Sequence, residues 1–276
     1  MMGFLNFLKP PAMTSHDAVA WLRRQLPRGT RVGHLGTLDP PATGVLPLAV
    51  GAATRWIQFL PPARKSYRAE LTFGLESDTL DTAGTILARR PAPRTDIEPL
   101  LQRMRGSQMQ VPPVVSALRV EGKRSYERAR AGESVEHEAR AVEIYRLELI
   151  HEDWPRVLID VECSAGTYVR SLARDLGQQV GCGAVLSFLV RTASGPFRLE
   201  EAVTAEETPP FPLVGLETVL EGLPRVRVRP GLMPGQECPV EDPPPEGTTV
   251  VLFDPAFVGV GRMKNGLARL VRTPWQ

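Results

Sequence analysis

The highest concentration of special residues runs Gly33-His34-Leu35-Gly36-Thr37-Leu38-Asp39-Pro40-Pro41-Ala42-Thr43-Gly44-Val45-Leu46-Pro47. Each Gly or Pro pins an unusual backbone conformation, so the stretch reads as an ordered loop. One acid, Asp39, stands in its middle. No other acid occurs between Asp17 and Glu70, and Arg23, Arg24 and Arg31 precede it. Two chemistries suit such a carboxylate. It can close an Asp-Pro turn by accepting backbone N–H groups. It can also serve as a nucleophile, since a nearby cation favours the charged form of a carboxyl group. The residues alone leave both open. Other chemistries find less support. Cys163, Cys182 and Cys238 are widely spaced, and His16, His34, His137 and His151 have no ligand spacing, which argues against a disulfide framework and a zinc site. There is no P-loop and no GxGxxG. The expectation is a reducing cytoplasm, no metal and no cofactor.

The elements that must position this loop can be read from the pattern. Thr14-x-x-Asp17 is a capping-box start for a helix over 14–27, with Ala18, Leu22 and Leu26 on one face and Pro27 and Gly29 ending it. Tyr67 to Phe73 reads as a strand, 75–95 as a loop with a turn, and 96–105 and Ser125–Ala131 as short helices. Tyr145, Leu147 and Leu149 alternate with polar residues, as do Val157, Ile159, Val161 and Cys163, which predicts a hairpin. Ser164-Ala165-Gly166 then breaks the pattern, and Val169, Leu172, Ala173 and Leu176 recur at helical spacing. Beyond an acidic, proline-containing stretch over 205–224, Val226 and Val228 alternate with Arg225, Arg227 and Arg229. Apolar runs at 250–253, 258–260 and 267–271 complete a small β-barrel.

Length and composition bound the partners. The chain has 276 residues, 42% of them hydrophobic, which suits one large domain with a small one and excludes wholesale disorder. Its longest apolar run, 43–50, is far short of the roughly 20 residues a bilayer span needs, and the N-terminus has no secretory pattern. Net charge is +2. That total hides blocks: residues 1–75 carry nine basic and three acidic groups and 87–130 carry ten and four. Against them, 131–165 carry three basic and nine acidic groups, and 200–224 carry six acids and no base. Phosphate binding follows local clusters, and 29 of the 33 basic residues are arginine, the better phosphate and base partner. An Arg-rich solvated surface accounts equally for the composition.

The run from His34 to Pro47 resembles the catalytic motif of the TruB family, bacterial tRNA pseudouridine synthases that modify the T-loop uridine. The family's other segments occur in order: Lys9-Pro10 with Thr14-Ser15-His16-Asp17, Lys65-Ser66-Tyr67-Arg68-Ala69, and Gln110-Val111-Pro112-Pro113 with Ser116-Ala117 and Gly122–Glu127. Cys163–Leu172 and Leu189-Val190-Arg191-Thr192 with Gly195-Pro196-Phe197 follow. The resemblance covers about residues 3–200. It departs at Ala12, where the family has Gly, at Val115, where it has an aromatic residue or His, and at Arg119, where Lys is common.

The resemblance implies roles. Asp39 is the catalytic aspartate, acting on the sugar or the base or assisting glycosidic cleavage. Arg170 pairs with it, and Tyr67 stacks on the target uracil and helps remove the C5 proton. Tyr168 and Leu189 line the uracil pocket, His34 fills the space left by flipped-out bases, and Lys9 and Pro10 support the pocket wall. The implied fold is α+β: a catalytic domain over 1–212 built on a mainly antiparallel sheet flanked by helices, with an RNA-gripping insertion at about 105–140. A small β-barrel PUA-like RNA-binding domain over 213–276 follows. The expected partner is tRNA, through its T arm and, by the C-terminal domain, its acceptor stem. No membrane and no obligate protein partner are expected, and the protein is expected to be a cytoplasmic monomer. A guide-RNA-dependent synthase and a tRNA-folding protein with an unused aspartate are the alternatives.

Overall fold

A computed structural model gives the fold and describes residues 2–116, 119–120, 123–124, 137–229, 231–254 and 256–274. The expected helix at Ser125–Ala131 lies outside them, as do parts of the expected RNA-gripping insertion. The strands in chain order are Met2–Lys9 (β1), Val32–His34 (β2), Thr43–Gly51 (β3), Lys65–Phe73 (β4), Leu75–Ser77 (β5), Ile86–Arg89 (β6) and Gly106–Gln110 (β7). Arg119–Val120 (β8), Lys123–Arg124 (β9), Arg140–Asp153 (β10), Arg156–Cys163 (β11), Ala184–Ser194 (β12), Phe197–Arg198 (β13) and Leu213–Val214 (β14) follow. The last are Arg225–Arg227 (β15), Glu237–Pro239 (β16), Thr249–Asp254 (β17), Ala256–Lys264 (β18) and Leu267–Arg272 (β19). The fold is α+β and dominated by sheet.

The chain divides into two compact units, one of Asn6–Leu48 and Pro62–Phe211, the other of Met1–Leu5, Ala49–Pro61 and Pro212–Gln276. In the larger unit the strand order is β3-β12-β4-β11-β10-β7, with β2 beside β3 and β13 beside β12. β3 and β12 run parallel, joined at Val190↔Thr43 and Arg191↔Gly44, whereas β12–β4, β4–β11, β11–β10 and β10–β7 are antiparallel. That junction fuses the end of the Asp39 loop to the centre of the sheet. It requires glycine at 44: φ is +113°, and a Cβ there would sit 2.3 Å from the Arg191 carbonyl oxygen.

The helix Val169–Val180 packs Val169, Leu172, Ala173 and Leu176 into the core formed with Leu71, Ile159, Val161 and Leu186. These are the positions its spacing picks out. The first helix is shorter than its apolar pattern suggests, Ser15–Arg24, with Gln25 as its C-cap. Leu26 falls outside because a residue preceding proline is driven out of the α region. Its start is the expected box: Thr14 Oγ1 accepts from the Asp17 N–H, and Asp17 Oδ2 accepts from the Thr14 N–H. The stretch read as a loop with a turn instead contains a hairpin of β5 and β6. The loop over 31–47 is flanked by strand, since β2 and β3 take residues from both its ends.

The β10–β11 hairpin departs from simple alternation. A register shift between Ile144 and Arg146 leaves Tyr145 unpaired and 41% exposed, while Val142, Ile144 and Leu147 are buried. The bulge turns a residue of the apolar face outward. The Arg64 guanidinium covers that ring at 3.9 Å from its centroid. In the smaller unit a five-stranded sheet of order β15-β17-β18-β19-β16 encloses Val226, Val228, Val250, Leu252 and Leu270. Arg225, Arg227 and Arg229 point outward, as their alternation requires.

Ala12 carries φ +64°, held there by its N–H donating to the Pro40 carbonyl at 2.9 Å. A non-glycine residue in that region is strained by about 1–2 kcal/mol, partly offset by the greater unfolded freedom of glycine. Ala12→Gly is therefore expected to stabilise the protein by about 0.5–1 kcal/mol, read as a higher urea midpoint. An unchanged or lower midpoint would show that Ala12 is unstrained.

Candidate active site

The site is assembled from four segments remote in sequence. The loop after β2 supplies Asp39, β4 supplies Lys65 and Tyr67, and the turn and helix after β11 supply Tyr168 and Arg170. Together with Leu189 of β12 they wall a cavity of about 230 Å³. Sites for drug-sized ligands run about 300–1,000 Å³, so this one suits a single flat ring.

Arg170 is almost wholly buried, and its Nε lies 2.9 Å from Asp39 Oδ2. The angle does not make this a directed hydrogen bond, so the contact is an ion pair. Arg170 Nη1 donates to the carbonyls of Thr79 at 2.9 Å and Val115 at 3.1 Å, and Asp81 Oδ2 lies 3.9 Å from Nε. The guanidinium is thus fixed by backbone oxygens and lies between two carboxylates. Asp39 retains 35% of its side-chain exposure, open to a ligand while paired on its other side.

Tyr67 is the third residue of β4, opposite Val161 and Arg191, and is only 7% exposed. Burial pushes its phenol up to about 12, the Arg191 guanidinium opposing the shift by charge and by a hydrogen bond. The hydroxyl is therefore protonated at neutral pH. Tyr168 caps the helix start and is half-buried, its phenol raised by burial. Leu189 is 8% exposed and closes the wall.

Lys9, Pro10 and His34 lie outside this wall. Lys9 is fully buried, and its Nζ donates to the carbonyls of Pro10 at 2.8 Å, Met13 at 2.7 Å and Pro40 at 3.3 Å. It ties the 10–13 segment to the residue after Asp39. Burial lowers its pKa to about 8, against the pull of Asp39. His34 ends β2, half-buried.

Sequence reasoning did not single out three residues that hold the site. Arg191 is completely buried; its Nε donates to Val45 O at 2.6 Å, Nη1 to Thr37 O at 3.2 Å and Nη2 to Gly36 O at 3.4 Å. It grips both sides of the Asp39 loop. Gln110 is 2% exposed and clamps Tyr168, accepting its N–H at 2.8 Å and donating to its carbonyl at 3.2 Å. Asp81 is 8% exposed and accepts from Thr79 Oγ1 at 2.6 Å and the Ala83 N–H at 3.0 Å, shaping the loop whose carbonyl holds Arg170. The Asp78-Thr79-x-Asp81 spacing before Gly84 was the available signal for the last.

Comparison with known proteins bears on this constellation. The model of the TruB family pseudouridylate synthase N-terminal domain matches residues 23–169, and that of the tRNA pseudouridylate synthase B C-terminal domain matches 170–208. The chain belongs to the TruB family of pseudouridylate synthases. It is 47% identical over 242 residues to the tRNA pseudouridine synthase B of Heliobacterium mobile, covering 84% of this chain and 78% of that protein. It is 53% identical over 211 residues to the enzyme of the same name from Symbiobacterium thermophilum, covering 74% and 70%. Among solved structures, a Cbf5–Nop10–Gar1 complex matches with TM-score 0.72 at 26% identity, over 98% of this chain and 84% of that one. A TruB-family fold thus carries every segment of the cavity wall. No helix among the described residues is long and apolar enough to cross a membrane.

The buried cations give a pH signature. Burial lowers Lys65 to about 8, with Arg191 adding to the effect, as burial does for Lys9. Unfolded, both lysines hold their protons up to about 10.5; folded, only to about 8. Between these values the unfolded chain binds more protons, so stability rises with pH, by at most about 1.4 kcal/mol per unit for each lysine. Tyr67 acts oppositely above its ordinary 10, where the folded state keeps the extra proton up to about 12. The urea midpoint is expected to rise from pH 8 to about 10 and then fall, with Lys65→Met flattening the rise. A midpoint flat over pH 8–10 would refute the desolvation of both lysines.

Proposed function

We propose that this protein is a stand-alone tRNA pseudouridine synthase that isomerises the T-loop uridine at position 55. The observation that carries the reading is the Asp39–Arg170 pair at 2.9 Å, set in a cavity walled by Tyr67, Tyr168 and Leu189. A uridine stacked in the T loop keeps its glycosidic carbon out of reach, so the base is flipped out, at a cost of a few kcal/mol. The Tyr67 face offsets about 1–3 kcal/mol of that by stacking. Asp39 then starts cleavage of the C1′–N1 bond. The uracil turns in the cavity, C5 bonds to C1′, the C5 proton leaves and N1 gains one. Because its phenol is protonated, Tyr67 serves through its ring and through its hydrogen bond to Arg191. Arg170 orients the carboxylate.

Sequence likeness favours the stand-alone enzyme over the guide-dependent one. The bacterial relatives named tRNA pseudouridine synthase B are 44–53% identical, against 26% for the chain matched in the Cbf5–Nop10–Gar1 complex. The T arm is the assigned contact of the larger unit, with His34 packing where T-loop bases are displaced. The β15 arginines of the PUA-like smaller unit are assigned to the acceptor-stem side. The enzyme works as a cytoplasmic monomer.

Purified protein alone, given unmodified tRNA tritiated at uridine C5, is expected to release tritium without any guide RNA. No release would defeat the proposal. Asp39→Asn is expected to abolish release while changing tRNA affinity less than threefold, and activity in that variant would remove Asp39 from its role. Changing Arg225, Arg227 and Arg229 together to alanine is expected to weaken tRNA binding and reduce the slope of log K against log salt, by up to about 0.9 per lost duplex phosphate contact. An unchanged slope would mean that these side chains do not meet RNA.

A further inference from the structure

Three cations serve the cavity wall, and two of them are already occupied. Arg170 is spent on Asp39 and the carbonyls of Thr79 and Val115. Arg191 is spent on the carbonyls of Gly36, Thr37 and Val45. Lys65 differs. It lines the cavity beside Tyr67, half-buried, yet among the described residues its ammonium has no hydrogen bond and no ion pair. No carboxylate offsets its desolvation. The neighbouring Cys163 thiol is pushed up to about 11 by burial and stays neutral. Glu162, next along β11, is paired with Arg64 at 3.5 Å. An ammonium withdrawn from water with no partner is costly, and sequences keep one mainly where a ligand completes it.

The backbone is shaped to admit this group. Gly36, at φ +94°, faces Lys65, and a Cβ on it would lie 3.3 Å from Nζ. A side chain at 36 would press on the ammonium from the loop that carries Asp39. The cation is therefore held on the same cavity wall as the two groups assigned to the base and the sugar, Tyr67 and Asp39.

We propose that Lys65 is a catalytic residue whose ammonium donates to a carbonyl oxygen of the target uracil and neutralises the charge that the base carries as its bond to the sugar breaks. This rests on the reading of the site as a pseudouridine synthase. When C1′–N1 breaks, its electron pair leaves with the base, giving a uracil anion delocalised over N1, O2 and O4. Lys65 transfers no proton in this step; it supplies a charged donor where negative charge develops, in a site that excludes water. The anion then bonds to C1′ through C5, the C5 proton leaves, N1 is protonated, and Lys65 ends as it began. Its lowered pKa, about 8, leaves it mostly charged at neutral pH.

The test is single-turnover tritium release under excess enzyme, with tRNA affinity measured beside it. Lys65→Met is expected to slow release about 10²–10³-fold, the range for loss of one charge-stabilising donor, with affinity within threefold of wild type. Lys65→Ala is expected to bind tRNA normally and to regain rate, saturably, on addition of ethylammonium. A purely structural lysine would give no such rescue. Release by Lys65→Met within threefold of wild type overturns the proposal. So does a loss of affinity that matches the loss of rate and flattens the salt dependence, which marks a phosphate contact. Lack of amine rescue in an Ala variant that binds tRNA also overturns it. Should Lys65→Met not fold, the Ala variant decides alone. Failure of the wild type to release tritium would overturn the parent reading, whereas unaffected variants beside an active wild type overturn this inference only.

Discussion

The larger unit is organised around one buried charge without a carboxylate. Arg191 is wholly inaccessible, and its guanidinium is satisfied by three carbonyls of the loop that carries Asp39. An arginine cannot shed its proton to escape burial, so those oxygens must be where they are. That requirement sets the loop's path. It explains the close parallel join of β3 to β12, the glycine at 44 that permits it, and the closed conformation of 36 and 37. The same charge acts on three titratable neighbours: it depresses Lys9 and Lys65 and opposes the rise of Tyr67. The Asp39 loop is a rigid platform because a cation is buried beneath it.

Charge division follows from that platform. One guanidinium holds the loop, another holds the carboxylate, and the two ammonium groups are placed differently from either. Lys9 is fully engaged with carbonyls and belongs to the scaffold, whereas Lys65 opens on the cavity. Arginine is used where several fixed oxygens must be gripped at once, and lysine where a single compact charge suffices. The composition's excess of arginine conceals this division, since four lysines among 33 basic residues look incidental until one is seen bonding the residue after Asp39 and another lining the cavity.

Much of the fold was legible locally. The Thr14–Asp17 box, the 169–176 helical face and the β10–β11 hairpin each depend on residues close in sequence, where period and capping chemistry act directly. The parts that escaped are those made by distant partners. Gln110 clamps a backbone 58 residues away, and Arg191 grips one 155 residues away; no periodicity records such a bond. Tyr145 illustrates a different failure. Its alternation with Arg146 placed it on the inner face, but a one-residue bulge reverses the parity of the strand, and parity is all that alternation measures. Ala12 marks the converse case. A departure from the family pattern that sequence could name acquires a meaning only when its φ is seen to be positive.

The same distinction bears on how the candidate site should be read. Asp39 was conspicuous because it was isolated among glycines and prolines, and isolation in sequence is visible. Its carboxylate is paired with Arg170, whose orientation depends on carbonyls supplied by Thr79 and Val115, and the Thr79 loop is in turn shaped by Asp81. At position 115 the family's side chain is absent, yet the contact to Arg170 is made by the Val115 backbone. A backbone acceptor tolerates side-chain replacement, so this departure leaves the pairing of Arg170 with Asp39 intact. The Asp39–Arg170 pair is therefore insulated from side-chain variation at position 115.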